Sequence, residues 1–195
     1  MKKSAIIAIV IAVVVVVFLC LSAKVIDVGT EGQYTGVVAF DASASSADDW
    51  SQVVAEITGK AEDINTVDLS ALGDGKAVTL KGTVSEFISK ASGKKNSFTV
   101  VPEGYTGDAV FTVQIGSIYS GTAIRDTQTV KAFGDFTNQT EWSEYAKALN
   151  SEMHAAVVEP LAIDESIQGK TVTIVGCATG SAKEVTITPI AITIE

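Results

Sequence analysis

The sequence has few of the residues from which common catalytic and metal sites are built. Its 195 residues include one histidine, His154, and two cysteines, Cys20 and Cys177. A zinc site needs about three or four His, Cys or acidic ligands, and a Ser-His-Asp triad needs a histidine beside its serine. The sequence therefore predicts no metal site, no cofactor and no recognisable catalytic set. Because Cys20 lies in a long apolar run, we expect no disulfide, and Cys177 is predicted to be a small buried hydrophobe.

Positive charge is also scarce. Fourteen lysines and arginines face 23 acids, for a net charge of −9, and Arg125 is the single arginine. Residues 1–23 carry two lysines and no acid, so the rest of the chain has 12 basic and 23 acidic side chains, a charge of −11. Such a surface repels phosphate backbones, which argues against nucleic acid as a partner.

One long hydrophobic run is present, at the N-terminus. Residues 5–23 contain no charged side chain, and a helix of that length crosses about 30 Å of hydrocarbon. Lys2 and Lys3 precede the run, and the positive-inside rule then places the N-terminus in the cytoplasm and the following residues outside the cell membrane. We predict that residues 1–23 form an uncleaved, single-pass anchor.

The anchor is followed by a polar, glycine-dotted tether at residues 24–36 and by one extracytoplasmic domain at residues 37–195. Two alternatives to the anchor stay open. A signal peptide can be cleaved after Ser22, and a lipoprotein can begin at a lipidated Cys20.

Two helices are predicted in this domain. In the first, Ser46 is the expected N-cap with Asp49 three residues on, and apolar residues then recur at helical spacing. In the second, Asn138 and Glu141 form the cap, an amphipathic stripe follows, and Pro160 ends the helix.

Strands are predicted where apolar and polar residues alternate. Residues 77–88 and 109–115 show this period of two, with a shorter strand between them. A longer polar strand, residues 117–133, is predicted to carry Arg125. Two strands close the chain, and the apolar face of the last one changes parity at Pro189, which predicts a β-bulge or burial on both faces.

Three strands, a helix and two more strands is the order of an OB-type barrel. The predicted fold is therefore mainly β with added helices (α+β). It is an OB-like β-barrel of about five strands, with the amphipathic helix before the last two strands at its open end. The extra N-terminal helix is expected to pack outside the barrel.

A polar cluster around the single arginine is the candidate site. A rigid guanidinium suits a carboxylate, and Asp135, in the loop before the second helix, is the expected partner of Arg125. In a structural reading this ion pair ties the strand to the helix, with Asn138 as cap. In a functional reading Arg125, Asp126, Asp135 and Asn138, with the ring of Tyr119, form the polar floor of a site for a sugar or a peptide. Both readings stay open.

A central block, GTAIRDTQTVKAFGDFTNQTEWSEYAKALN, resembles the signature of a bacterial family of periplasmic lipoproteins, the DUF2291 family. The upstream AFDASASSADDW and the C-terminal GKTVTIVG and VTITPIAI resemble other segments of that family. The family usually has a lipobox cysteine directly before a Lys-Val pair, where this sequence has Ala23. The resemblance implies a protein without established activity, whose gene tends to lie near sugar-uptake transporters.

These observations favour a non-catalytic, membrane-tethered binding or accessory module outside the cytoplasm. Its expected partners are the membrane and a transporter component or a small solute such as a sugar. A carbohydrate-active enzyme with paired carboxylates is the alternative, because acids are plentiful. A purely structural envelope protein is the third reading.

Overall fold

The computed structural model describes residues 39–195, and Asp41–Glu195 form one unit. The predicted anchor and tether, residues 1–36, lie outside the described residues. Within residues 39–195, no helix combines the length and the apolar character needed to span a membrane.

The main feature is a closed barrel of five strands. The strands pair in the order β2-β3-β4-β6-β5, and β5 pairs again with β2 to close the ring. The β4–β6 pair is parallel and the other barrel pairs are antiparallel. A two-residue strand, β1, runs parallel to β2. This confirms the predicted barrel of about five strands. The bounds are β1 Glu62–Asp63, β2 Lys76–Ile88, β3 Ser97–Pro102, β4 Val110–Gln114, β5 Thr171–Gly180 and β6 Glu184–Ile194.

In residues 39–195, three α-helices accompany the barrel: α1 (Ala42–Lys60), α2 (Ala123–Thr127) and α3 (Gln139–Met153). α3 continues into a π-helical turn, His154–Val158, and packs mainly against α1 and α2. The short α2 lies against β2 and β5. The amphipathic helix, α3, was expected at the open end of the barrel. The helices that pack most against the barrel strands are instead α1 and α2, each against β2 and β5. Single 3-10 turns occur at Leu69–Ala71, Phe133–Asp135, Glu159–Leu161 and Glu165–Ile167.

The core follows from the period of two along the strands. In β2 the alternating residues Val78, Leu80 and Val84 are buried, as the sequence predicts. The predicted irregularity in β6 is confirmed, because Pro189 pairs with Gly176 and Ala191 with Val175, which leaves an extra residue between them. The apolar face can therefore change parity without exposing the core.

The two predicted helix caps had different outcomes. α1 begins four residues before Ser46, and the Asp41 carboxylate accepts from the backbone N–H groups of Ser43 and Ala44 at 3.0 Å. Ser46 is buried inside the helix, so the predicted cap was wrong: an earlier acid was available and lengthened the helix by a turn. The cap of α3 is confirmed, since Asn138 Oδ1 accepts from the backbone N–H of Glu141 at 3.0 Å.

Candidate functional site

The candidate site is built around α2, the short helix that carries Arg125. Ala123, Ile124 and Thr127 are buried, whereas Arg125 and Asp126 remain partly exposed. The predicted strand is therefore wrong. A strand would put Ile124 and Asp126 on one face, whereas a helical turn buries the three uncharged side chains together. The barrel also offers no free edge here, because β4 already pairs with β6.

The loop before β2 is held tightly against α2. A Cβ atom on Gly75 would collide with Thr127 Oγ1 and would lie 2.9 Å from the carbonyl oxygen of Ala123. Glycine is therefore required for this close approach. The contact brings the neighbouring Asp74 to the surface beside α2.

Arg125 is paired with the residue next to it. Its Nε donates to Asp126 Oδ1 at 2.8 Å, and Nη2 lies 2.7 Å from the same oxygen. The other carboxylate oxygen of Asp126 accepts from the hydroxyl of Thr122. The side chains of Arg125 and Asp126 are only 14% and 18% exposed, so water screens this pair weakly. The predicted pairing of Arg125 with Asp135 is wrong.

The guanidinium also lies on an aromatic cluster at the start of α3. Its Cζ is 4.5 Å from the centroid of the Trp142 ring, and Nη1 donates to the Trp142 carbonyl oxygen at 3.4 Å. Phe133, Phe136 and Tyr145 surround the same indole, with ring centroids 6.3, 5.0 and 6.2 Å away. Arg125 therefore joins α2 to α3 by charge and by cation–π contact.

The loop that follows α2 is shaped by the buried amide of Gln128. Its Nε2 donates to the carbonyl oxygens of Arg125 at 3.0 Å and of Lys131 at 2.7 Å. Its Oε1 accepts from the backbone N–H of Lys131 at 2.8 Å. All these bonds close a loop beside the guanidinium, so the wall of the site is ordered before a ligand arrives.

α1 fixes the same loop from the other side. Both carboxylate oxygens of Glu56 accept from the backbone N–H of Thr129, at 3.0 and 2.8 Å, and Lys60 Nζ lies 2.7 Å from Glu56. Burial alone would raise the pKa of Glu56, but the hydrogen bonds from Lys60 and Thr129 outweigh it and hold that pKa below its ordinary value.

A buried hydrogen bond joins α1 to α3 beside the site. The hydroxyl of Tyr145 donates to Asp49 Oδ2 at 3.0 Å, and Lys131 Nζ lies 4.0 Å from Asp49 Oδ1. Burial, and then the hydrogen bond and charge of Asp49, raise the pKa of Tyr145 above its ordinary value. Asp49, which the sequence assigned to a helix cap, instead links α1 to α3.

These elements line an open cleft of about 360 Å³. Its lining includes two carboxylates, two cations and two aromatic rings. The residues that line it are Asp74, Arg125, Asp126, Gln128, Thr129, Lys131, Ala132, Phe133 and Trp142.

The cleft contains two of the five residues predicted for the site. Arg125 and Asp126 line it, whereas Asp135 and Asn138 do not. Asp135 Oδ2 accepts from the backbone N–H of Ala132 at 2.8 Å and closes a 3-10 turn. Asn138 is the cap of α3. Sequence reasoning missed the other cleft residues, although the aromatic-rich block that follows Arg125 was an available signal.

Tyr119, the fifth predicted residue, lies elsewhere. Its hydroxyl forms a 2.8 Å hydrogen bond with His154 Nδ1, and burial raises the pKa of the phenol. It lines a different hollow, of about 280 Å³, together with Lys147 and Asn150. Tyr119 therefore supplies no aromatic face to the Arg125 cleft.

The structure also places the remaining reactive groups. Cys177 is fully buried in β5, as predicted, and burial raises the pKa of its thiol to about 12. Such a thiol stays protonated and unreactive at neutral pH. Within residues 39–195, no three His, Cys, Asp or Glu side chains are grouped to hold a metal ion.

A solved structure shares this fold. It is an OB-fold protein from Thermotoga maritima, with a TM-score of 0.53 and 14% sequence identity over 80% of this chain and 99% of that chain. At this identity the likeness shows the fold alone, and it supports the predicted OB-like barrel. The search of curated proteins gave no match.

Residues 72–193 match the model of a family described as predicted periplasmic lipoprotein (DUF2291). The match covers more than half of the chain and includes the barrel, α2, α3 and the cleft. The description indicates an extracytoplasmic, membrane-associated protein. The chain belongs to the DUF2291 family.

Proposed function

We propose that this protein is a non-catalytic, membrane-tethered module that binds a small uncharged solute in the Arg125 cleft. The observation that carries the proposal is the balance of charge there. Among the described lining residues, the charges of Arg125 and Lys131 are balanced by those of Asp74 and Asp126, so the cleft is rich in hydrogen-bonding groups but has no net charge to attract an ion.

The walls suit a hydroxylated ring such as a sugar. Phe133 is 52% exposed at the edge of the cleft and offers an apolar face. Asp74 is exposed and accepts hydrogen bonds, and the Thr129 hydroxyl oxygen, which donates to Glu56, retains acceptor capacity. A ring with one apolar face and a rim of hydroxyls matches both kinds of group.

The same contacts argue against the alternative of a glycosidase. A retaining or inverting enzyme needs two carboxyl groups that exchange protons or attack the sugar. One carboxylate oxygen of Asp126 accepts from Arg125 and the other accepts from the Thr122 hydroxyl, so this carboxylate is held by the protein and is not free to act on a sugar. We therefore propose a binding role. The protein partner to test first is a sugar-uptake transporter, because the family resemblance implies that the gene lies near such transporters.

The proposed anchor is the apolar segment at residues 1–23, uncleaved, with the N-terminus in the cytoplasm. N-terminal sequencing of the protein from the membrane fraction tests it. We expect the chain to begin at Met1 or Lys2. A chain that begins at Cys20 would show a lipoprotein, and one that begins at Ala23 would show a cleaved signal peptide.

Binding can be followed with Trp142 as the reporter. The chain has two tryptophans, so Trp50→Phe leaves Trp142, in the cleft wall, as the single tryptophan, whose emission can be excited apart from that of tyrosine. The full-length variant, held in a polyoxyethylene detergent because sugar-headed detergents would compete, is titrated with a panel of neutral sugars. We expect at least one sugar to change the Trp142 emission in a saturable manner. If none does, while a charged solute such as an amino acid saturates the signal, the proposed neutral ligand is wrong.

A further inference from the structure

A separate groove of about 220 Å³ lies between the β2–β3 loop and the outer faces of β3, β4 and β6. Among the residues that the structure describes, it shares no lining residue with the Arg125 cleft, and none of its lining residues is an acid. Its polar lining includes Lys90, Lys95, Asn96, Ser97, Thr112 and Thr186.

The groove lies in a basic patch on an acidic protein. Lys90, Lys94 and Lys95 are all exposed, and residues 87–102 contain no acid. Among the ion pairs of residues 39–195, none involves these three lysines. Because salt screens charges over about 8 Å, a ligand in the groove responds mainly to the nearby lysines.

The loop that carries the lysines is fixed to the barrel. A Cβ atom on Gly116 would collide with the carbonyl oxygen of Lys94 and would lie 2.7 Å from the backbone nitrogen of Asn96. The Lys94 and Asn96 carbonyl oxygens accept from the backbone N–H groups of Ile118 at 2.8 Å and Ile115 at 2.9 Å. The fold therefore fixes the backbone that carries the lysines, so binding needs to order their side chains but not the loop.

One polar atom in the lining has no partner. Asn96 Oδ1 is buried without a hydrogen bond in the part of the chain that the structure describes. Such an acceptor is costly to leave unsatisfied, so a ligand that donates a hydrogen bond to it is favoured. The hydroxyls of Ser97, Thr112 and Thr186 line the same groove. The site thus offers cationic donors at the loop and hydroxyl partners along the strands.

We propose that this groove binds a phosphate ester that carries free hydroxyl groups. Lys90 and Lys95 bind the phosphate oxygens, and Asn96 Oδ1 accepts from a ligand hydroxyl. A glycerol phosphate group has this chemistry, and it occurs both in anionic phospholipid headgroups and in soluble phosphate esters. A membrane-associated protein can contact the phospholipid headgroups directly.

Calorimetric titration of the full-length protein, in nonionic detergent at low salt, tests the site with glycerol 3-phosphate as probe. We expect saturable binding that is at least about fivefold tighter than that of inorganic phosphate. The double variant Lys90→Ala/Lys95→Ala should weaken it about tenfold or more, because each lysine beside a phosphate contributes about fivefold. The matched control, Lys147→Ala/Lys170→Ala, should bind as the wild type does. Absence of binding, equal affinity for inorganic phosphate, or equal loss in the control would overturn the proposal.

A second arm identifies the source. The full-length protein is placed in nanodiscs of phosphatidylcholine with or without phosphatidylglycerol, and amine acetylation is mapped by mass spectrometry. Protection of Lys90 and Lys95, but not of Lys147, that depends on phosphatidylglycerol assigns the site to a lipid headgroup. Glycerol 3-phosphate binding without that protection assigns it to a soluble ester. Both results support the proposed chemistry.

Discussion

The guanidinium of Arg125 lies over the indole of Trp142, with Cζ 4.5 Å from the ring centroid. The two residues belong to α2 and α3, and Asp126 holds the guanidinium in place from its own helix. Arginine, unlike lysine, has a flat cation that can lie on an aromatic face while its edge donates to a carboxylate, and unlike histidine it is charged at every physiological pH. This explains why the single arginine of the chain stands at this position.

We predict that Arg125→Ala destabilises the protein by about 2 to 3 kcal/mol, because it removes the cation–π contact and leaves the Asp126 carboxylate half-buried with one hydrogen-bonded partner. Arg125→Lys keeps the charge but loses the planar fork, so we expect it to recover less than half of that loss. Urea unfolding of the full-length protein in detergent measures both changes.

Lys147→Ala is the matched control for this experiment. It removes a cation from the exposed surface of α3, and no ion pair within residues 39–195 involves it. The expected change is about 0.5 kcal/mol or less. If Arg125→Ala were no more destabilising than this control, Arg125 would not join the two helices.

Tyr145→Phe should cost about 1 to 3 kcal/mol at neutral pH, because it removes the donor to the buried Asp49 carboxylate. The pKa of Tyr145 is raised in the folded protein, so the phenol stabilises the fold fully below about pH 10, its ordinary pKa. This stabilisation is lost as the pH rises through the folded-state value. Denaturation of wild type and variant should therefore converge above pH 10, whereas Tyr105→Phe, at a half-exposed ring, should change little at either pH.

Glu56→Gln should cost about 1 to 2 kcal/mol at pH 7, because the carboxylate that holds Thr129 and Lys60 is lost. The pKa of Glu56 is lowered in the folded protein, so its contribution is present above the unfolded value near 4.5 and disappears as the pH falls through the folded value. The difference from wild type should shrink below about pH 4.5. Glu144→Gln, an exposed residue of α3, serves as the control; a pH-independent deficit for Glu56→Gln would count against the ionised carboxylate.

The elements that could be predicted from the sequence are those whose burial repeats along the chain. The structure confirms the alternation of buried and exposed residues in β2 and the parity change at Pro189. Both could be predicted because one face of a strand packs against the core. The cap at Asn138 is local and was predicted for the same reason that it forms: its side chain reaches the N–H of Glu141.

The site was harder to predict because its contacts cross between elements. Residues 117–133 are rich in threonine and suggest a strand, but the closed barrel has no edge to receive one. Once α2 forms, Asp126 pairs with Arg125 within the same helix, and the guanidinium does not need Asp135. Trp142 and Phe133 follow at the start of α3 and in the loop before it, and no short-range pattern shows that they line the same cleft as Asp74.

The central claim is that the cleft at Arg125 binds a small neutral solute, and the most direct test substitutes cleft residues that do little for the fold. Asp74 and Phe133 are exposed, so Asp74→Asn and Phe133→Ala should leave unfolding nearly unchanged. Asp48→Asn and Leu161→Ala are matched controls at exposed positions outside the cleft. Calorimetric titration uses the sugar that gives the strongest Trp142 signal. Each cleft variant should lower the affinity about tenfold, as expected for one lost hydrogen bond or one lost stacking contact of about 1.4 kcal/mol. Each control should bind with unchanged affinity. Equal affinity in all four variants would contradict the account, because the solute would then bind elsewhere.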